Sequence, residues 1–197
     1  MRLSAAALRS GAGQQRPHQT RRHHRHRSPG RGPRPGQVEK HHEYHQNDRE
    51  VRATIVRVIA AHLRPETEYS WSPNDFDFRT TYLEDADFQR ATFSGATRFN
   101  GTTFSGTAWF DDATFSNTTV FGDATFSGTT VFGGATFSGA TIFEKVDFGA
   151  QPISFANSKR WGPPAPVFDW SVDITLKPAN VEPQDWPPVV VSSVPSS

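Results

Sequence analysis

The side chains able to do acid–base, nucleophilic or metal chemistry are unevenly placed along the 197 residues. Cysteine is absent, which excludes thiolate ligands, disulfides and cysteine nucleophiles. Of the eight histidines, all but His62 lie in the first 45 residues. His23, His24 and His26, or His41, His42 and His45, have a spacing that a metal could use. No acidic pattern completes either set, so no metal site is expected. His62 falls on the apolar face of a helical stretch and reads as a packed side chain. Asp111 and Asp112, with Asp123 further on, could attract a cation, but adjacent acids at chain corners are ordinarily solvated. Serines recur at one repeated position with no base beside them. The "FGG" and "FSG" stretches lack the following helix of a phosphate-binding loop. No catalytic, cofactor-binding or metal residues are therefore expected, and the chain reads as non-enzymatic.

The elements that must position these residues are of two kinds. Residues 1–52 carry twelve Lys/Arg against four Asp/Glu, whereas residues 75–150 carry four against ten. All sixteen Phe lie at or beyond Phe76. The stretch "RPHQTRRHHRHRSPGRGPRPG" has almost nothing apolar to bury, so residues 1–46 are expected to be a disordered basic arm. From Asn47 to Pro65, "NDREVRATIVRVIAAHLRP" reads as a helix. Asn47 and Glu50 have the spacing of a capping box, and Pro65 ends the run. Val51, Ile55, Val58, Ile59, His62 and Leu63 form one face, suited to covering the open end of a neighbouring core. No run of eighteen apolar residues exists, and the apolar stretch after Arg2 is too short for a signal peptide. The cytoplasm is the expected location.

Residues 113–145 read "ATFSNTTVFGD", "ATFSGTTVFGG" and "ATFSGATIFEK" in succession. The large apolar centres are Phe78, Leu83, Phe88, Phe93, Phe99, Phe104, Phe110, Phe115, Phe121, Phe126, Phe132, Phe137, Phe143 and Phe148. Their gaps are five at first, then alternate six and five. Neither a helix nor a flat strand generates this spacing. A chain that turns a corner about every five residues does. Each side is then a very short strand with its centre pointing inward. The small residue two before it (Ala91, Ala108, Ala113, Ala124, Ala135) points inward too. Ser-Gly pairs make the corners, where Gly tolerates unusual backbone angles. Four sides close a coil, and coils stack at about 4.8 Å. Residues 74–151 contain no proline, as an unbroken ladder requires.

The stretches "ADFQR" (86–90), "ATFSG" (91–95, 135–139) and "VDFGA" (146–150) resemble the pentapeptide-repeat family. The inserted sixth residue and the use of Phe rather than Leu depart from the family pattern. The resemblance implies an all-β solenoid, a right-handed quadrilateral β-helix of about 3.5 coils with an N-terminal capping α-helix. The expected organisation is a disordered arm at 1–46, a capping helix at 47–65, the repeat β-helix at 74–157, and a Trp/Pro-rich cap and tail at 158–197. The stretch from about 47 to 170 is similar to a bacterial, Phe-rich subgroup that closes with tails like "WGPPAPVFDW" (161–170). Members of that subgroup often carry N-terminal membrane helices. Membrane association through an anchor missing from this chain is thus the alternative location.

Residues one coil apart stack, so the outward residue before each centre falls into columns. Thr92, Thr114 and Thr136 form one, and Thr103, Thr125 and Asp147 another. Arg98, Val120 and Ile142 form a third, and Trp109 with Val131 a fourth. The hydroxyl columns express the β-propensity of Thr. The apolar ones, through Trp109, Val131, Val120 and Ile142, are the expected interaction surface. The expected role is a structural or interaction module whose partner is a protein or a second copy of the chain. Nucleic acid is not the expected partner. The alternative implied by the resemblance is a mimic of duplex DNA that occupies topoisomerases. The Thr, Ser and apolar columns speak against it, because mimicry needs dense acidic ones.

Overall fold

The computed structural model describes residues 2–4 and 35–191, with side chains from residue 48 onward. The chain winds into a four-sided parallel β-solenoid of about four turns. Successive strands belong to successive sides, so hydrogen-bonded neighbours come from successive turns. The first side stacks Asp75–Asp77, Thr97–Arg98, Thr119–Val120, Thr141–Phe143 and Val167–Phe168. The second stacks Tyr82–Leu83, Thr103–Phe104 and Thr125–Phe126, extended by a bridge from Thr125 to Asp147. Ala86–Asp87, Ala108–Trp109, Thr130–Val131, Ile153–Ser154 and Val181–Glu182 make the third. The fourth is Thr92–Phe93, Thr114–Phe115, Thr136–Phe137 and Arg160–Trp161. The ladder thus continues beyond residue 157 into the Trp- and Pro-rich segment.

The interior is built of stacked rings. Phe78, Phe99, Phe121, Phe143 and Phe168 form one column, with centroids 4.9, 4.8, 4.6 and 4.7 Å apart and nearly parallel planes. Neighbouring columns meet edge to face: Phe110 and Phe132 each stand at 89° to Phe121. Parallel contact within a column and perpendicular contact between columns are both favourable for aromatic quadrupoles. Ala91, Ala108, Ala113, Ala124 and Ala135 are buried, as expected. Thr97, Thr102, Thr119, Thr130 and Thr141 take the same inward position elsewhere in the coil. Their buried hydroxyls are satisfied locally: Thr102 donates to the carbonyl of Phe78 at 2.7 Å, and Thr141 to that of Gly139 at 3.3 Å. Threonine fits beside the rings because the backbone supplies an acceptor.

The corners correct one expectation. Glycines at the Ser-Gly corners are not there for left-handed backbone angles. A Cβ on Gly128 would lie 2.3 Å from the carbonyl oxygen of Gly106, and one on Gly139 the same distance from that of Asn117. At Gly128 and Gly139 successive turns approach too closely for a side chain in that backbone position, although Asn117 occupies the equivalent corner one turn before Gly139. Positive φ angles fall instead at the tighter five-residue corners, mostly on residues with side chains: Arg90, Asp112, Asp123, Lys145 and Asn157. Asp and Asn tolerate that region readily, and Thr80, Arg90 and Lys145 adopt it as well.

Helix α1 spans Pro35–Leu63. It begins upstream of Asn47, so Asn47 and Glu50 lie within it and form no capping box. Pro35 is a suitable first residue, and no Gly or Pro follows between 37 and 64 to stop the helix. Val56, Ala60 and Leu63 enter the same core as Phe76, Phe78, Leu83 and Phe88, with Ile55 and Ile59 partly buried. The expected apolar face is therefore corrected: Val51 is 57 % exposed and Val58 44 %. Ion pairs fasten the helix to the first turn, from Arg49 to Glu84 at 2.5 Å and from Arg64 to Asp87 at 3.7 Å. His62 stacks on Trp71 at 4.1 Å, and its Nδ1 lies 3.0 Å from the Tyr69 carbonyl oxygen, so it is a packed side chain. The expected arm over 1–46 falls largely on residues 5–34, outside the described ones. At its edges, Arg2–Ser4 pairs with Asp75–Asp77 and α1 begins at Pro35.

At the other end, Trp161, Phe168, Trp170 and Trp186 gather over Phe148 and Phe155. Trp186 meets Phe168 at 5.1 Å and Trp161 at 5.3 Å, both edge on. Phe148 and Trp170 are 5.2 Å apart. These larger rings close the stack where the Phe columns end. No helix among the described residues is long and apolar enough to cross a membrane.

Candidate interaction surface

The outward columns fall in the expected register. Trp109 pairs with Val131 on the third side, between Asp87 below and Ser154 above. Val120 pairs with Arg98 and Ile142 on the first side, and Ile142 in turn with Val167. The structure brings Trp109 to Val131 and Val120 to Ile142, but sets the two pairs on opposite sides of the coil. They cannot serve one contact. Trp109 is 38 % exposed, and Val131, Val120 and Ile142 are half-buried between their neighbours. Val167, 42 % exposed, extends the first-side column by a rung that the repeat spacing does not reach.

Beyond the Trp109–Val131 column, at the corner between the third and fourth sides, the turn residues Gln89, Asp111, Gly133 and Ala156 stack in a second row. Its register follows from the amides of Arg90, Asp112 and Gly134, which donate to the carbonyls of Asp111, Gly133 and Ala156. Gly133 leaves the row without a side chain directly above Asp111. The next corner residue, Gly134, also has none, and the Asp112 carboxylate leans into the space where its Cβ would be, 2.3 Å away. The result is a notch of about 590 Å³ lined by Asp111, Asp112, Gly133, Gly134, Asn157 and Lys159, with Val191 at its edge.

The charges around the notch are mostly compensated. Lys159 sits 2.8 Å from Asp112, and Arg64 pairs with Asp87. Asp111 differs: its Oδ2 is shielded from solvent and has no hydrogen-bond partner. Burial raises its proton affinity, a hydrogen bond from its own backbone N–H partly offsets this, and the charges of Asp112 and Asp87 push upward again. Nothing in the repeat spacing marks this residue. The adjacent "DD" and, one turn later, "GG" are the available signal, legible once the register is known.

The three acids that could attract a cation do not converge. Asp111 and Asp112 lie at the corner between the third and fourth sides, whereas Asp123 lies at the corner between the first and second. Asp112 is already occupied by Lys159. The recurrent serines line corners, and the fourth-side row begins with the Ser72 and Ser94 hydroxyls 2.9 Å apart, a contact between turns.

Comparison with known proteins bears on the fold. A family model described as pentapeptide repeats matches residues 78–125, in nine copies. No curated protein and no solved structure gives a match. The matched copies cover the first part of the region where the rings stack turn on turn. Together with the parallel four-sided coil, they mark residues 78–125 as pentapeptide repeats.

Proposed function

We propose that the protein is a non-enzymatic interaction module that presents the third side of its solenoid to a protein partner. The observation that carries this reading is Trp109, 38 % exposed and in register with Val131 on a ladder that cannot shift without breaking the ring stacks beneath it. A Trp fixed in this way offers large contact area at small entropic cost, and Trp is enriched at the energetic centres of interfaces. The first-side strip of Val120, Ile142 and Val167 is the next choice.

Mimicry of duplex DNA is less favoured. Glu84, Asp85 and Asp87 are paired with arginines of α1 and the residue after it, Asp77 with Arg79, and Asp112 with Lys159. The outward columns themselves are mostly Thr, Ser and apolar, with single acids such as Asp87 and Asp147, so the acids do not line up as a phosphate backbone would.

The test is the double substitution Trp109→Ser with Val131→Ser. Both positions are outward, so circular dichroism should be unchanged. Self-association by sedimentation, or capture of the partner, should weaken by more than about 1 kcal/mol. Unchanged association with an unchanged fold would remove this side from consideration.

A further inference from the structure

We infer that the third side binds a second copy of the chain, in an antiparallel pair whose two-fold axis runs along the strands, midway between the rungs of Trp109 and Val131. This rests on the reading of that side as the interaction face and names its partner.

The ladder fixes the order of the outward residues. From the α1 end they are Asp87, Trp109, Val131, Ser154 and Glu182, each in register with the next. Arg64 of the segment after α1 reaches Asp87 at 3.7 Å and takes the level before the first rung. A two-fold pair uses the same surface on both copies, so each residue meets a determined opposite number. Only a few registers exist, because the rungs repeat at about 4.8 Å.

Charge and size choose among these registers. With the chains parallel, Asp87 faces Asp87 and Glu182 faces Glu182. With the chains antiparallel, an axis at the level of Val131 sets Asp87 against Glu182. An axis at the level of Trp109 sets Asp87 against Val131. An axis one rung further in either direction sets Trp109 against an acid, Asp87 or Glu182. Like charges across a contact are costly, and so is a carboxylate pressed on an apolar side chain. An axis midway between Trp109 and Val131 avoids all of these. It sets Trp109 against Val131 twice, Asp87 against Ser154 twice, and Glu182 at the level of Arg64 twice. The wide indole, 38 % exposed, then lies over the shorter, half-buried valine of the other copy. An axis along the strands also keeps the corner row opposite itself. Gln89 comes level with Ala156 of the second copy and Asp111 with Gly133, a longer side chain facing a short one each time.

Five rungs span about 19 Å. A face that narrow buries less than a stable complex does, so the pair should be weak, with a dissociation constant on the order of 0.1 mM.

The chain has no cysteine, so single introduced thiols report which rungs meet. The full chain is made as Asp87→Cys and, separately, as Ser154→Cys. Each is oxidised with glutathione disulfide, alone and in an equal mixture, and the linked products are weighed by mass spectrometry. The mixture should give a disulfide between unlike chains, about fivefold or more above the like-chain product of either protein alone. The two positions face each other in the pair, whereas each lies about 14 Å from its own copy. Sedimentation of the wild type from about 10 μM to 1 mM should show a monomer–dimer equilibrium. Trp109→Ser should raise its dissociation constant more than about tenfold with unchanged circular dichroism, since each pair contains two Trp109–Val131 contacts. Like-chain disulfides exceeding the mixed product would make the pair parallel and overturn the inference. A wild type that stays monomeric throughout that range, or a dimer insensitive to Trp109→Ser, would overturn it too. If the wild type is monomeric while the Trp109→Ser, Val131→Ser protein loses capture of another protein, the interaction face stands and its partner is not a second copy.

Discussion

Placing a carboxylate on either side of one strand tests the inward and outward assignment most directly. Phe126 is fully buried, 4.8 Å from Phe104 and 6.2 Å from Phe148 in its column, and edge on to Phe132. Phe126→Ala should cost about 3–5 kcal/mol, the usual range for an aromatic removed from a packed interior. Phe126→Asp adds an unpaired charge in a dry column, worth several kcal/mol more unless the group neutralises. The sum is comparable to the whole stability of an ordinary domain, about 5–15 kcal/mol, so this variant should not fold at neutral pH. Thr125, next along the strand, points outward. Its control substitution is not neutral, because Thr125 is bridged to Asp147 on the next turn. Two carboxylates about 4.8 Å apart in water repel by about 0.9 kcal/mol, and physiological salt removes roughly half of that. Thr125→Asp should therefore lose about 0.5–1 kcal/mol, recoverable in about 1 M salt. Thr125→Asn should be within about 0.5 kcal/mol of wild type. Thermal unfolding is followed by circular dichroism and, independently, by the fluorescence of the Trp161, Trp170 and Trp186 cluster. Comparable melting-temperature losses for Phe126→Ala and Thr125→Asn would refute the assignment.

At the corners, Gly128→Ala drives a Cβ into the backbone carbonyl of the turn below and should cost about 1–3 kcal/mol. Gly134→Asn meets only the movable Asp112 side chain, at a φ that Asn157 and Asp112 already adopt, and should cost less in the same melts. Because folding raises the Asp111 pKa, its ionisation opposes folding above that pKa, and the penalty disappears as pH falls below it. Asp111→Asn should therefore be more stable than wild type at neutral pH, with the difference vanishing in acid. Urea titrations of both proteins across that range check the sign.

The period of the centres was legible because Phe occupies almost every inward site, so gaps of five and six appear without interference. Column membership followed by adding one turn, and Trp109 with Val131 fell where that addition placed them. The inward threonines were less legible than the inward alanines. Thr118 and Thr119 are adjacent and chemically identical, yet Thr118 is exposed at a corner and Thr119 is buried beside the rings. A hydroxyl is admitted at the inward position only because the backbone of the coil offers it an acceptor, and that acceptor is invisible before the chain is wound. The corner glycines misled because glycine has two uses, left-handed angles and close approach, and the sequence does not separate them. The buried stripe of α1 was misplaced because Val51, Ile55, Val56, Val58, Ile59 and Ala60 are apolar on more than one side, and the angle of docking on the first turn chose among them. The notch at Asp111 was hidden for a similar reason: it exists where an acid on one turn meets a glycine on the next.

The pairing of Thr97 with Thr119, and of Thr119 with Thr141, makes consecutive turns interchangeable. Each turn presents the same kind of surface above and below: aromatic rings inside and a ring of amides and carbonyls around them. The coding sequence can therefore gain or lose the stretch for one turn by unequal crossing-over, and the product keeps every inward residue inward. Loss of half a turn also keeps inward residues inward, but it rotates everything after the junction onto the opposite side and moves Val131 away from Trp109. Selection on the folded core alone would accept both kinds of event. Selection on a face that uses Trp109 and Val131 would accept only whole turns added above or below it, so the lengths of related arrays are themselves a record of whether that face is used.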